Sequence, residues 1–206
     1  MAPSDAKQKA YAVTALKDII SVQFNFAIKD IDIPVPLTTS GLTSVSDAIQ
    51  KDRITVLSMS KYGTTAQADA AYRNDHDTMY IPDDYVSRSP GDRRTYDYGA
   101  VIHEAVHAYF DLMAVKHLTY ATAEVAAYLV AALYYQARHY NVKPANDTFT
   151  LVLLEAARLT AKVKASNVTL SRADFKDLRD AVVTHYKKIN PSYRGDTIMS
   201  LGIATP

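Results

Sequence analysis

The segment His103-Glu104-Ala105-Val106-His107 sets two imidazoles four residues apart, with a carboxylate directly after the first. On an α-helix, at about 100° and 1.5 Å per residue, positions four apart stand one turn above each other and about 40° round the axis, so both rings can reach one metal ion. Glu104 lies about one residue step further round, where it can address a water on that ion instead of ligating it. Composition makes coincidence a poor account: the pattern has roughly a 1 in 400 chance of arising anywhere in this chain. Glu104, Glu124 and Glu155 are the only Glu among 22 acidic residues, so an acid falling here at random would be Asp. The blander alternative is a buried helix holding two hydrogen-bonded histidines and an incidental acid. It would bury three polar groups among Val101, Ile102, Val106, Phe110 and Leu112, which costs several kcal/mol without partners.

A catalytic zinc takes three protein ligands and keeps one position for water, so the histidine pair needs a third partner. The chain has no Cys, which excludes disulfides and thiolate ligation and leaves His or carboxylate. His117, ten residues after His107 with no glycine turn between them, reads as a loop histidine. Glu124 opens the next apolar helix, and a connection of about eight residues lets that helix fold back on the first. Ala123, Ala126 and Ala127 around it permit close approach. Its ordinary role would be an acid favoured by a helix N-terminus. Glu155, flanked by Leu153, Leu154, Ala156 and Ala157, competes with it, although Arg158 three residues on is a simpler partner. Glu124 is favoured as the third ligand, with Glu155 the alternative.

These side chains need a scaffold. Following a cap at Ser4, residues 5–29 carry Ala10, Val13, Leu16, Ile20 and Phe24 at helical spacing and predict an amphipathic helix. Residues 31–44, rich in Pro, Thr and Ser, predict an extended connection or edge segment, with a short helix at 45–51. The runs 53–59, 66–72 and 78–81 predict a small sheet of about three strands. Pro90-Gly91-Asp92 is a turn signal before the motif helix, expected over 93–113. Further helices are expected at 122–140 and 148–164, and from Ser171, which with Asp174 resembles a capping arrangement, to 188. The fold class is therefore α+β, one domain over 1–206. An amino lobe, 1–113, ends in the motif helix, a helical carboxyl lobe covers 114–206, and the site sits in the cleft between them.

Composition narrows the partners. With 23 basic and 22 acidic residues interleaved, the net charge of +1 offers no footprint for nucleic acid or anionic membrane. The longest apolar run, 125–135, is about half of the ~20 residues that cross a bilayer. The first nine residues lack the basic-then-apolar pattern of a signal peptide, and the compartment and oligomeric state stay open. Fifteen Tyr and no Trp read as packing around the core.

His103-Glu104-Ala105-Val106-His107 with Glu124 on the following helix resembles the gluzincin branch of zinc metallopeptidases, over about residues 53–140. The resemblance implies a zincin-like fold, a zinc ion held by His103, His107 and Glu124, and Glu104 as general base in peptide hydrolysis. It implies a mixed sheet whose edge strand pairs with extended substrate, and 78–82 sits in the corresponding chain position. It also implies an oxyanion donor from the carboxyl lobe, for which His185, Tyr186 and Tyr193 are available. The family's usual Asn-Glu-x-x-Ser-Asp block is replaced here by Ala123-Glu124-Val125-Ala126-Ala127-Tyr128. That removes the Asp that supports a histidine ligand, a role that falls to Asp111, one turn beyond His107. The alternative to a peptidase is a zincin fold kept as an inactive binding or structural module.

Overall fold

The apolar pattern changes period at Ser21. Up to Ile20 the buried positions, Tyr11, Ala12, Ala15, Leu16 and Ile19, follow a helix; beyond it Phe24, Phe26 and Ile28 are buried at every second residue. The computed structural model, which describes residues 5–29, 34–62, 69–88, 92–116, 118–142, 145–163 and 167–198, accordingly ends α1 (Ala6–Ile20) there and begins β1 (Asn25–Lys29). The single helix expected over 5–29 is thus a helix and a strand. Ser4 lies outside the described residues. Asp5 stands at the helix start, where its carboxylate accepts from Ser58 N at 2.7 Å and pairs with Lys61 at 2.6 Å.

The Pro- and Thr-rich stretch holds β2 (Val35–Thr38) and the first half of α2 (Thr39–Gln50), a helix that starts six residues before the expected 45 because Thr38 Oγ1 caps Gly41 N at 3.0 Å. The expected three-stranded sheet is present. It comprises β3 (Thr55–Ser58), β4 (Ala71–Arg73) and β5 (Thr78–Ile81) in the order β3-β5-β4, with β3 parallel and β4 antiparallel to β5. Residues 66–68 of the expected second strand lie outside the described residues. The strand at the chain position that the resemblance assigned to the sheet edge, β5, is buried in the middle; the edge beside the motif helix is β4.

The motif helix α3 (Asp92–Leu112) matches its expected bounds closely. It ends in a Schellman turn, with Val115 N bonded to Phe110 O at 3.0 Å, Ala114 N to Asp111 O at 2.9 Å, and Ala114 at φ 46°. After it come α4 (Tyr120–Ala137), α5 (Thr148–Val163), β6 (Val168–Ser171) and α6 (Lys176–Ile189). The carboxyl half is therefore not all helical. Strand β6 pairs in parallel with β1 in a second sheet of order β2-β1-β6, tying the two expected lobes together. The Ser171 and Asp174 pair exists, at 2.6 Å between side chains, but it closes the turn between β6 and α6 and does not cap a helix at Ser171.

One continuous hydrophobic cluster draws on all six helices and both sheets. At its centre is α4, with 14 of 18 residues buried, so that its apolar residues face inward all round. No helix among the described residues is long and apolar enough to cross a membrane. Helices α3 and α4 meet closely at Gly99, where an added Cβ would lie 2.1 Å from the Tyr135 ring. Gly99→Ala should therefore destabilise the chain by ~1–3 kcal/mol despite alanine's better helix propensity, read as a lower urea midpoint at unchanged slope.

Candidate metal centre

The approach of α3 and α4 fixes three donors. Thr119 caps α4 through Thr122 N, and the carbonyls of Gly195 and Thr197 accept from Ala121 N and Tyr120 N at 2.9 and 3.0 Å, so this helix start is held from two sides. Glu124 follows in the second turn, directly across from the motif. The two histidine Nε2 atoms stand 3.3 Å apart, and the Glu124 carboxylate presents Oε2 at 3.2 Å from His103 Nε2 and Oε1 at 3.4 Å from His107 Nε2. A tetrahedral ion with donors at about 2.05 Å has edges of about 3.3 Å, which the imidazole pair matches, while Glu124 turns a different oxygen toward each ring. These three residues form a group able to hold a metal ion, with all their ligating atoms within 4.8 Å of one another. The donor chemistry fits the same occupant, because two imidazole nitrogens and a carboxylate converge on one point, and each offers a cation a lone pair once the imidazoles are neutral.

Glu104 is beside the triangle and outside it. Its Oε1 lies 3.9 Å from His103 Nε2, while its Oε2 accepts from the backbone N–H of Tyr72, on the β4 edge, at 2.7 Å. Burial pushes its carboxyl up to about 7, against the opposing charge of His103. Burial would also raise Glu124, but His107 and His103 outweigh it and hold that carboxyl well below its usual range. Burial lowers His107 to about 4; for His103 the hydrogen bond and charge of Glu124 overcome burial and raise it. Without metal, Glu124 thus favours the charged form of His103, while burial favours the neutral form of His107.

Surrounding groups hold the donors. Tyr186 O–H donates to Glu124 Oε2 at 2.7 Å, and the Tyr128 ring packs edge-on against His103 at 4.3 Å. Tyr193 stacks on Tyr186 at 5.0 Å. Asp111 does not take up the missing supporting role: it accepts from Tyr72 O–H at 2.6 Å, and His107 Nδ1 is buried with no hydrogen-bond partner. Glu155 is bonded to Arg158 at 2.8 Å and is not part of the metal-binding group; His117 lies outside the described residues. Tyr72 and Tyr128 are additions to the expected set. Nothing local in the sequence marks Tyr72, but Tyr128 is one turn beyond Glu124 on the same face and so was open to inference.

Burial raises the Tyr186 phenol well above its ordinary range, and the Glu124 charge adds to it, so it remains a donor. Tyr186→Phe should lower metal affinity by ~10-fold or more without unfolding the chain, measured by competition with a chromogenic chelator.

A cavity of about 560 Å³ opens from this centre, walled by Ala70, by α3 at Gly99, Ala100 and His103, and by side chains of α4, α5 and α6. His185 and Tyr186 both line it, and Thr148 Oγ1 lies 3.0 Å from His185 Nδ1. Comparison with protein-family models, with curated proteins and with solved structures finds no match to this chain.

Proposed function

We propose that this chain is a zinc-dependent peptidase of zincin-like, gluzincin-like architecture, with His103, His107 and Glu124 as ligands and Glu104 as general base. The observation that carries the reading is the donor group itself, two imidazole nitrogens 3.3 Å apart with one Glu124 oxygen facing each, at 3.2 and 3.4 Å, and with Glu104 next to the group but not in it. Zinc bound there supplies Lewis-acid polarisation of a carbonyl and brings the pKa of a water toward ~7. Glu104 takes the proton of the attacking water and returns it to the leaving amine. The Tyr72 N–H fixes one oxygen of Glu104 and leaves the other for this transfer. Tyr186 holds Glu124 in its ligating orientation, which commits its hydroxyl. Of the three candidates for oxyanion donor, His185 is the one this reading assigns, since it lines the cavity with His103 and Glu104 and its ring is anchored at Nδ1. Strand β4, half-buried and at the sheet edge among the described residues, runs against Glu104, where an extended peptide backbone would reach the base.

The second reading is a zincin-like module that binds metal without turnover, and the unpartnered Nδ1 of His107 favours it, since ligating histidines usually have that nitrogen bonded. Metal analysis of the purified chain, with digestion of a broad peptide library in the presence and absence of chelator, separates the two. Stoichiometric zinc with chelator-sensitive cleavage supports the peptidase; zinc without cleavage supports the module; a chain that takes up no zinc overturns both.

A further inference from the structure

The cavity beside the metal centre has a chemical character of its own. Its walls include five aromatic rings, those of Tyr96, Tyr128, Tyr135, Phe149 and Tyr186, with Gly99 and Ala131 leaving the space between them. Among the described residues that line it there is no Lys or Arg. Asp69 is a lining residue, and its Oδ2 accepts from Tyr96 O–H at 2.5 Å, which holds the carboxylate at the aromatic wall.

We infer that this cavity is a subsite for an organic cation, an ammonium or guanidinium group carried by the substrate as a basic side chain or a free amino terminus. Aromatic faces present negative quadrupole to a cation, and a carboxylate in the same wall supplies a charge-assisted hydrogen bond. Other charges in the cavity do not oppose this. Burial lowers the pKa of His185, which keeps it neutral near pH 7, and His103 belongs to the metal group. The volume, about 560 Å³, suits a full Arg or Lys side chain.

This inference names a substrate class for the peptidase reading and rests on it for the cleavage arm of the test, while the binding arm stands alone. In the binding arm, benzamidine, benzyl alcohol and benzoate are titrated against the full chain and followed by tyrosine resonances. Benzamidine should bind at least about ten-fold more tightly than the neutral alcohol, and Asp69→Asn, which keeps an acceptor for Tyr96, should remove that advantage. In the cleavage arm, N-acetylated and free peptides carry Arg, Lys, norleucine, Phe or Glu at each position in turn. Arg and Lys peptides should show kcat/KM at least about ten-fold above norleucine, lost in Asp69→Asn while norleucine cleavage is unchanged. Preference in acetylated peptides assigns the subsite to a side chain, and preference only in free peptides assigns it to the amino terminus. Cleavage that favours norleucine or Phe, or benzamidine binding that ignores Asp69, overturns the cation subsite and leaves the peptidase reading intact. Asp69-dependent benzamidine binding with no peptide cleaved sustains the subsite and removes the peptidase reading.

Discussion

Replacing Glu104 by Gln should lower peptide hydrolysis by ~10² to 10⁴ while zinc content stays at the parent level. The amide keeps the side-chain volume and still offers an oxygen to the Tyr72 N–H, so the contact of α3 with the β4 edge survives. What it loses is basicity, the one property the proposed hydrolysis would require of this residue. The metal ligands are untouched, since Glu104 lies outside the group formed by His103, His107 and Glu124. Stability carries an independent signature. The Glu104 carboxyl in the metal-free chain is raised from 4.5 to about 7, so folding favours its protonated form. An acid with a raised pKa costs no stability below its unfolded value, and the cost grows as pH rises through the folded one. Metal-free Glu104→Gln should therefore melt above the metal-free parent at pH 8 and match it below pH ~4.5. If the variant hydrolyses peptides as fast as the parent, Glu104 is not the base. If it melts lower at pH 8, the buried carboxylate is stabilised by contacts that the Tyr72 bond does not represent.

The motif helix was legible because its information is local. Spacing of four residues, a continuous apolar pattern and a turn signal before Asp92 all point to one helix, and α3 has those bounds. Glu124 was legible for a different reason: a scarce residue type stood among alanines small enough to let two helices touch, and the close contact at Gly99 does bring them together. The second sheet was not legible. Strand β6 is four residues long and its partner β1 lies about 140 positions earlier in the chain, with register Phe26 to Val168, so no local pattern signals the pairing. Strand β1 itself was hidden because Phe24 happens to continue the helical spacing of α1 as well as starting the alternation. The tyrosines do pack in and around the core, as their abundance suggested, but Tyr186, Tyr128 and Tyr96 also hold Glu124, pack on His103 and wall the cavity, roles that depend on tertiary placement.

Loss of any one ligand should have the largest effect on metal retention, and the pattern of losses identifies the third ligand. His103→Ala or His107→Ala leaves two donors, a poor site, so zinc should be absent from the purified chain. Glu124→Ala leaves the histidine pair without its carboxylate, and affinity should fall by well over the ~10 to 100-fold that a hydrogen-bond partner of a ligand is worth. Glu155→Ala provides the control. Its carboxylate is bonded to Arg158 on the same helix, and zinc affinity should be unchanged. Binding should also be linked to protons, because the metal requires a neutral imidazole and the metal-free chain holds His103 as the charged partner of Glu124. Calorimetry in buffers of different ionisation enthalpy should then find net proton release on zinc binding near pH 6, from His103 and from the raised Glu104 carboxyl, with affinity rising as pH increases. Retention of full affinity by Glu124→Ala with loss in Glu155→Ala would transfer the third ligand to α5. Equal retention in both would leave the two histidines with a partner from outside the triangle, and the assignment of Glu124 would fall with it.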